Sequence, residues 1–338
     1  QGDTAMSCAY LAFTERGLAL AQQLAAACPG PVARCGAGGP GLDEWTAAQF
    51  AASDALIYIG AVGIAVRAIA PHCRGKAADP AVVVLDECGR FAVPLLSGHL
   101  GGANALARRL AAACGAVPVI TTATDLHGLF AVDEWAKRQG CIVAEPERIK
   151  RVSGALLAGK RVHFTADWPI QGTPPAGVQP AAGGCADFAL TLTPTGQALH
   201  IVPRIAVLGI GCRRGTAAEH LQAAFADFCR ESGLAPQGVA AAASIDLKRD
   251  EPGLAAFCQE HGWDMDFYTA AQLRAVPGSF TVSGFVTSVT GVDNVCERAA
   301  VLASGGKLLL PKWARDGVTF AAALRPFAPD WRWRDDEP

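Results

Sequence analysis

Short apolar runs alternate with amphipathic stretches along most of this chain, and that alternation constrains its fold most. Cys8 to Phe13, Ala55 to Ile59, Ala81 to Asp86 and Val117 to Ile120 read as strands. Glu15 to Cys28, Val66 to Ile69 and Ala105 to Cys114 read as helices. Strands separated by helices suit a mainly parallel sheet covered by helices. Phe91 to Leu96 is expected to pair with Ala81 to Asp86 as a hairpin across Glu87-Cys88-Gly89-Arg90. The expected fold class is α/β, in three-layer units with mainly parallel sheets.

The pattern continues beyond Leu126. Ala131 to Gln139 and Glu147 to Leu157 read as helices, Cys141 to Val143 and Arg161 to Thr165 as strands. Trp168 to Gly184, rich in Pro and Gly, reads as a surface loop. A third unit opens with the strand Ile205 to Leu208 and the helix Ala217 to Glu231. Further strands are expected at Gly238 to Ile245, Thr281 to Val282 and Lys307 to Leu310. Helices are expected at Gly253 to His261 and Asn294 to Ala303. The division expected is an N-terminal α/β domain over 7–125, a small middle α/β unit over 126–200 and a C-terminal α/β domain over 204–326.

At 338 residues there is room for two or three full cores. A formal net charge of -2 gives no general drive toward nucleic acid. The longest apolar stretch, Ala55 to Val66, stops at Arg67 and is too short to span a bilayer, and Gln1 to Ser7 does not read as a signal peptide. Twelve cysteines are scattered without a Cys-x-x-Cys pair. Neither a disulfide framework nor a zinc site is expected, and a reducing cytoplasm is.

Polar chemistry concentrates at turns after strands. Ser97-Gly98-His99-Leu100-Gly101-Gly102-Ala103-Asn104 joins a buried strand to a helix start. Such a turn leaves backbone N–H groups free beside a positive helix terminus, so it suits an anion. Thr121 to Asp125 follows another strand, as do Gly60 to Arg67 and the Asp86-Glu87 pair. These turns are expected to share one edge of the sheet and to line one crevice. Arg67 and Lys76 border it as cations for carboxylates or phosphates. In the third unit Gly209-Ile210-Gly211-Cys212-Arg213-Arg214-Gly215 follows a strand and opens a helix. It lacks the final spacing of a dinucleotide fingerprint, and Arg213 and Arg214 favour anions in general. Ser283-Gly284 and Ser288 to Asn294 form a small-residue loop, and Lys312 follows a strand.

These stretches carry a resemblance. Gly63 to Arg67, Lys76 to Val84, Pro94 to Asn104, Thr121 to Asp125, Phe130 to Glu134, Gly209 to Gly215 and Leu310-Pro311-Lys312 resemble the cobalt-precorrin-5A hydrolase (CbiG) family of anaerobic cobalamin biosynthesis. The C-terminal unit also resembles the separate CobE proteins. What the family implies is a cobalt-containing tetrapyrrole substrate rich in carboxylates. The enzyme is understood to open a δ-lactone on that substrate and release acetaldehyde. The resemblance implies no cofactor, since cobalt arrives inside the substrate, and the sequence offers no dedicated metal site. No membrane or nucleic-acid partner is expected, and transient contact with neighbouring pathway enzymes is.

Chemistry assigns the roles. His99 is the expected general base, because an unperturbed imidazole titrates near neutrality. The helix terminus is expected to lower its pKa. Glu87 is the alternative base and Ser97 a candidate nucleophile. Backbone N–H groups of Gly101 and Gly102 are the expected oxyanion donors. The expected substrate-binding set is Arg67, Lys76, Gly98, Gly101, Gly102, Asn104, Thr121, Thr122, Asp125, Gly211, Arg213, Arg214, Ser283 and Lys312. A non-catalytic tetrapyrrole carrier and a nicotinamide-dependent oxidoreductase remain alternatives.

Overall fold

The structure, a computed structural model, describes residues 6–36, 38–75, 78–99, 101–182, 185–282 and 284–333. Compactness divides the chain into two units. One runs to Trp135 and takes in Leu156–Ala158; the other comprises the remainder from Ala136 on.

The first unit is built on a six-stranded sheet. Its strands are β1 (Cys8–Ala12), β2 (Val32–Arg34), β3 (Ala55–Ile59), β4 (Ala81–Leu85), β5 (Phe91–Leu96) and β6 (Val117–Pro118), in the order β2-β1-β3-β4-β5-β6. Strands β1 to β4 are parallel. The helices are α1 (Glu15–Ala27), α2 (Leu42–Ala52), α3 (Val62–Ile69), α4 (Ala103–Cys114), α5 (Ala123–Leu126) and the start of α6 (Val132–Arg138), which belongs to this unit as far as Trp135. Side chains alternate between two cores, which is why the strands read as unbroken apolar runs. Tyr10, Ile57 and Val83 pack against Leu24 of α1 and Leu106 and Leu110 of α4. Leu11, Leu56, Tyr58 and Val82 pack on the other side against Trp45 of α2 and Ile69 of α3. The unit is therefore three-layered.

One turn decides where the site lies. After β4, Asp86 accepts hydrogen bonds from the backbone N–H of Cys88, Arg90 and Phe91. Burial disfavours its charge, but these three bonds outweigh that and hold its pKa below the usual carboxylate value. The chain reverses there, so β5 runs antiparallel to β4 and β6 parallel to β5. The Ser97–Asn104 and Thr121–Asp125 turns consequently leave the sheet at one edge. The segments after β1, β3 and β4 leave at the other. The expectation that all four turns share an edge fails for this reason.

The second unit holds two five-stranded sheets. The first has β7 (Cys141–Val143), β8 (Val162–Ala166), β9 (Val178–Pro180), β10 (Phe188–Leu190) and β11 (Leu199–Pro203), in the order β7-β11-β10-β8-β9. All are parallel except β7. The short strand β9 interrupts what the sequence suggests is an unbroken loop. The other sheet has β12 (Ala206–Cys212), β13 (Val239–Ile245), β14 (Asp264–Tyr268), β15 (Lys307–Arg315) and β16 (Val318–Leu324), in the order β14-β13-β12-β16-β15. Here β12, β13 and β14 are parallel, and β16 is antiparallel to both neighbours. Helices α7 (Ile149–Leu157), α8 (Ala218–Ser232), α9 (Pro252–Glu260), α10 (Ala270–Ala275), α11 (Gly284–Thr290) and α12 (Val295–Ser304) complete the chain. Phe225 and Phe228 of α8, Phe257 of α9 and Phe320 of β16 share one core. Leu273 of α10 and Val295 and Ala299 of α12 cover the opposite face. Thr281–Val282 is not a strand, because the backbone N–H and hydroxyl of Thr281 bond the Glu297 carboxylate instead of a neighbouring strand.

Candidate active site

The turn between β5 and α4 is tightly built. Ser97 adopts a left-handed backbone at φ 55°, and its Oγ donates to the Asp79 carbonyl at 2.9 Å. Gly102 caps α4, also left-handed, at φ 85°. The N–H groups of Gly102, Ala103 and Asn104 donate to the carbonyls of His99, Ser97 and Gly98. The turn thus spends on itself donors that the sequence offers to a ligand, and Gly102 is not an oxyanion donor in this conformation. Gly101 is required by packing: a Cβ there would lie 2.3 Å from the Cβ of Ser97 and 2.8 Å from its carbonyl oxygen. We expect Gly101→Ala to destabilise the chain by about 1–3 kcal/mol, since backbone must shift to admit the methyl. Urea unfolding beside the parent protein checks this.

The turn delivers His99 into a carboxylate cage. His99 Nε2 donates to Asp125 Oδ2 at 2.9 Å. Its Nδ1 lies 3.3 Å from Asp133 Oδ2, and Nε2 lies 3.6 Å from Glu134 Oε1. Arg108 donates to Asp125 Oδ1 at 2.6 Å. Asn104 Nδ2 donates to Asp125 Oδ2 and to Thr122 Oγ1, both at 3.0 Å. Three helix starts supply these groups. Asn104 and Arg108 stand one turn apart on α4 and so share a face. Asp125 sits on the short α5, with Thr122 at its N-cap. Asp133 and Glu134 occupy the first turn of α6. Side-chain exposure is 4% for Asp125 and 7% for Asp133, against 14% for His99 and 13% for Glu134. Arg108, 33% exposed, is the most open member, and His99 and Glu134 are more open than the two aspartates.

Charge follows from this geometry. A carboxylate only accepts, so an imidazole facing carboxylates through both nitrogens carries N–H on both. Burial alone would lower the His99 pKa, but hydrogen bonds to Asp125 and Asp133 and the nearby Glu134 charge raise it to about 10. The expectation of a lowered pKa is reversed, because carboxylates face the ring on both sides. His99 is a proton donor at neutral pH, not a free base. Asp125 is buried too, yet His99 and Arg108 hold its carboxyl well below the usual range. Burial pushes Glu134 the other way, up.

Within the first unit the fold brings together His99, Asn104, Thr122 and Asp125. It adds Arg108, Asp133 and Glu134, which the sequence reading did not assign. A signal for them existed: Arg108 follows Asn104 by one helical turn, and an acidic pair opens a helix directly after the TTATD run. Glu87 lies at the opposite sheet edge and accepts from Thr14 Oγ1 at 2.8 Å, so it is no alternative base for this cluster. Arg67 is exposed on α3, which covers the other face of the sheet from α4, with Nη1 3.4 Å from the Gly63 carbonyl of its own helix. Thr121 is exposed beside the site, and Gly98 packs against the Asn104 amide. Asn104, 1% exposed, positions Asp125 and does not meet a ligand. Ser97, bonded to a backbone carbonyl, has no base beside its hydroxyl among the described contacts. Lys76 and Ser283 lie outside the described residues.

Gly211, Arg213, Arg214 and Lys312 belong to the second unit. Gly209 and Gly211 are not in a phosphate-binding turn; they lie inside β12. A Cβ on Gly209 would strike the Cys296 carbonyl at 1.8 Å, and one on Gly211 would strike Thr319 Oγ1 at 2.5 Å. Close packing against α12 and β16 therefore explains these glycines, and the Gly215 N–H donates to the Glu251 carboxylate at 2.7 Å. That N–H is thus satisfied by an internal carboxylate. Arg213 and Arg214 are exposed, and the Lys312 N–H bonds Glu297.

Among the described residues, one group of side chains has metal-binding geometry: His99, Asp125 and Glu134 each offer a donor atom, all within 4.8 Å of one another. Among the described residues, no helix is long and apolar enough to cross a membrane.

Comparison with known proteins agrees with the resemblance. Residues 44–125 match the model of the cobalamin synthesis G N-terminal region, and 130–182 that of the cobalamin biosynthesis central region. Residues 206–323 match that of the cobalamin synthesis G C-terminus. The His99 cage draws on the first two segments. A cobalt-precorrin-5A hydrolase from Salmonella typhimurium is 37% identical over 293 residues, covering 81% of this chain and 83% of that protein. One from Priestia megaterium is 32% identical over 295 residues, covering 80% and 79%. Protein CobE of a Sinorhizobium species is 34% identical over 105 residues, 31% of this chain and 68% of that protein. Matched across most of its length by relatives above 30% identity and in three successive segments by family models, this chain belongs to the cobalamin synthesis G (CbiG) family.

Proposed function

We propose that this chain is a cobalt-precorrin-5A hydrolase, which opens the δ-lactone of its substrate and releases acetaldehyde to give cobalt-precorrin-5B. The observation that carries the reading is the 37% identity to a hydrolase of that name over 81% of the chain. The His99 cage supplies chemistry such a reaction needs. Opening the lactone requires a base for water, a donor for the carbonyl oxygen and an acid for the leaving oxygen. Glu134, raised by burial and 13% exposed, takes the proton from water as its oxygen attacks the carbonyl. His99, protonated on both nitrogens, passes the Nε2 proton it shares with Asp125 to the leaving alkoxide. Asp125, Asp133, Asn104 and Arg108 hold that ring in place. The alcohol so released then loses its proton while the carbon–carbon bond breaks. The macrocycle takes the electron pair, and acetaldehyde departs.

The cobalt is part of the substrate in this reading. The twelve free thiols suit a reducing cytoplasm. Anaerobic incubation with cobalt-precorrin-5A tests the proposal: acetaldehyde and the ring-opened product should appear together. A substrate that binds and returns with its lactone intact would make the chain a carrier instead.

A further inference from the structure

We propose that His99, Asp125 and Glu134 form a binding site for a divalent cation, with Asp133 as the carboxylate behind the histidine. The geometry carries this without reference to the reaction above. Donor atoms sharing one ion at about 2.0–2.2 Å stand roughly 3–3.5 Å apart. His99 Nε2 stands 2.9 Å from Asp125 Oδ2 and 3.6 Å from Glu134 Oε1. The three donors come from three different segments, the β5–α4 turn, α5 and α6. Small helix movements can therefore close the set around an ion.

A second observation lies outside that triad. The Asp133 side chain is 7% exposed, and its Oδ1 is buried with no hydrogen-bond partner among the described residues. Its Oδ2 faces His99 Nδ1 at 3.3 Å. A buried carboxylate oxygen left without a donor is costly. A carboxylate accepting Nδ1–H is also the usual partner of a metal-bound imidazole, since it fixes the tautomer that leaves Nε2 for the ion. Three carboxylates face one guanidinium and one imidazole, so the cage stays anionic even with His99 charged. Glu134 makes no hydrogen bond of its own among the described residues.

Arg108 occupies Asp125 Oδ1, while Oδ2 accepts from Asn104 and His99. The incoming cation takes the place of the His99 Nε2 proton, which passes to solvent, and Oδ2 turns from that proton to the ion. One imidazole nitrogen with two carboxylates favours Zn²⁺ or Mn²⁺ over Ca²⁺, which prefers all-oxygen sets.

Direct binding to the full chain, stripped with a chelator and free of substrate, tests this. Mn²⁺ is the probe, because thiolates hold it weakly and the cysteines will not mask the result. Calorimetry and the loss of free Mn²⁺ EPR signal should show one saturable equivalent. His99→Ala and Glu134→Gln should abolish it, and Asp133→Asn should weaken it about ten- to a hundred-fold. Thermal unfolding of each variant confirms that it is folded; a variant that is not is replaced by His99→Gln or Glu134→Ala. No saturable uptake at millimolar Mn²⁺, or uptake unchanged in the folded variants, overturns the proposal. Neither outcome alters the identity to the named hydrolases, while uptake would replace the His99 Nε2 proton and the free Glu134 carboxylate as acid and base in the loaded protein.

Discussion

His99→Asn is expected to slow acetaldehyde release about 10²- to 10⁴-fold, the usual worth of a positioned proton-transfer group. The ring alone presents N–H to Asp125 on one side and Asp133 on the other while remaining partly open to solvent. An amide can donate a hydrogen bond but cannot deliver a proton and regain it. Substrate binding should persist, because Arg108 and Asn104 still hold Asp125. Single-turnover release measured beside substrate affinity separates the two effects. A near-normal rate would return His99 to a purely structural part.

Asp125→Ala should have the largest effect on stability. That carboxylate, 4% exposed, accepts from His99, Asn104 and Arg108 and thereby ties the β5–α4 turn and α4 to α5. Removing one partner of a buried charged network strands the others, at a cost of about 3–5 kcal/mol. For a unit of this size the midpoint of thermal unfolding should fall by about 10 °C or more. Asp125→Asn should cost less, since the amide oxygen still accepts from Arg108. A loss under about 1 kcal/mol for the alanine variant would show that solvent replaces these bonds.

Much of the fold is legible in the chain because burial on both faces leaves a clear signature. The runs Ala55–Ile59 and Ala81–Leu85 contain no polar residue, and both are central strands. Edge and short strands carry weaker marks: Val32–Arg34 has three residues and is only half-buried. The strand Val318–Leu324 was foreshadowed by Asp316-Gly317, whose positive φ angles of 48° and 82° make the tight hairpin that this dipeptide favours. That signal went unused.

The site was legible in its turn and not in its charge. Ser97 to Asn104 and Thr121 to Asp125 do meet, through Asn104 and His99. The reversal at Asp86 carries a consequence that a list of turns does not. One hairpin moves Glu87 to the far edge from His99, however close the two stand in sequence. The protonation of His99 depends on Asp133 and Glu134, more than thirty residues away, which only the fold places against the ring. Gly209 and Gly211 show the opposite failing. Their spacing suggests ligand chemistry, while their cause is a neighbouring carbonyl and a threonine hydroxyl.

The most direct measurement is single-turnover acetaldehyde release from cobalt-precorrin-5A by Glu134→Gln, with substrate affinity measured on the same preparation. The substitution keeps shape and removes the most open of the carboxylates beside His99. If the reaction runs in the cage of the first unit, release falls about 10²- to 10⁴-fold while affinity stays near that of the parent protein. Release at the parent rate from a folded, substrate-bound Glu134→Gln protein would place the chemistry elsewhere in the chain.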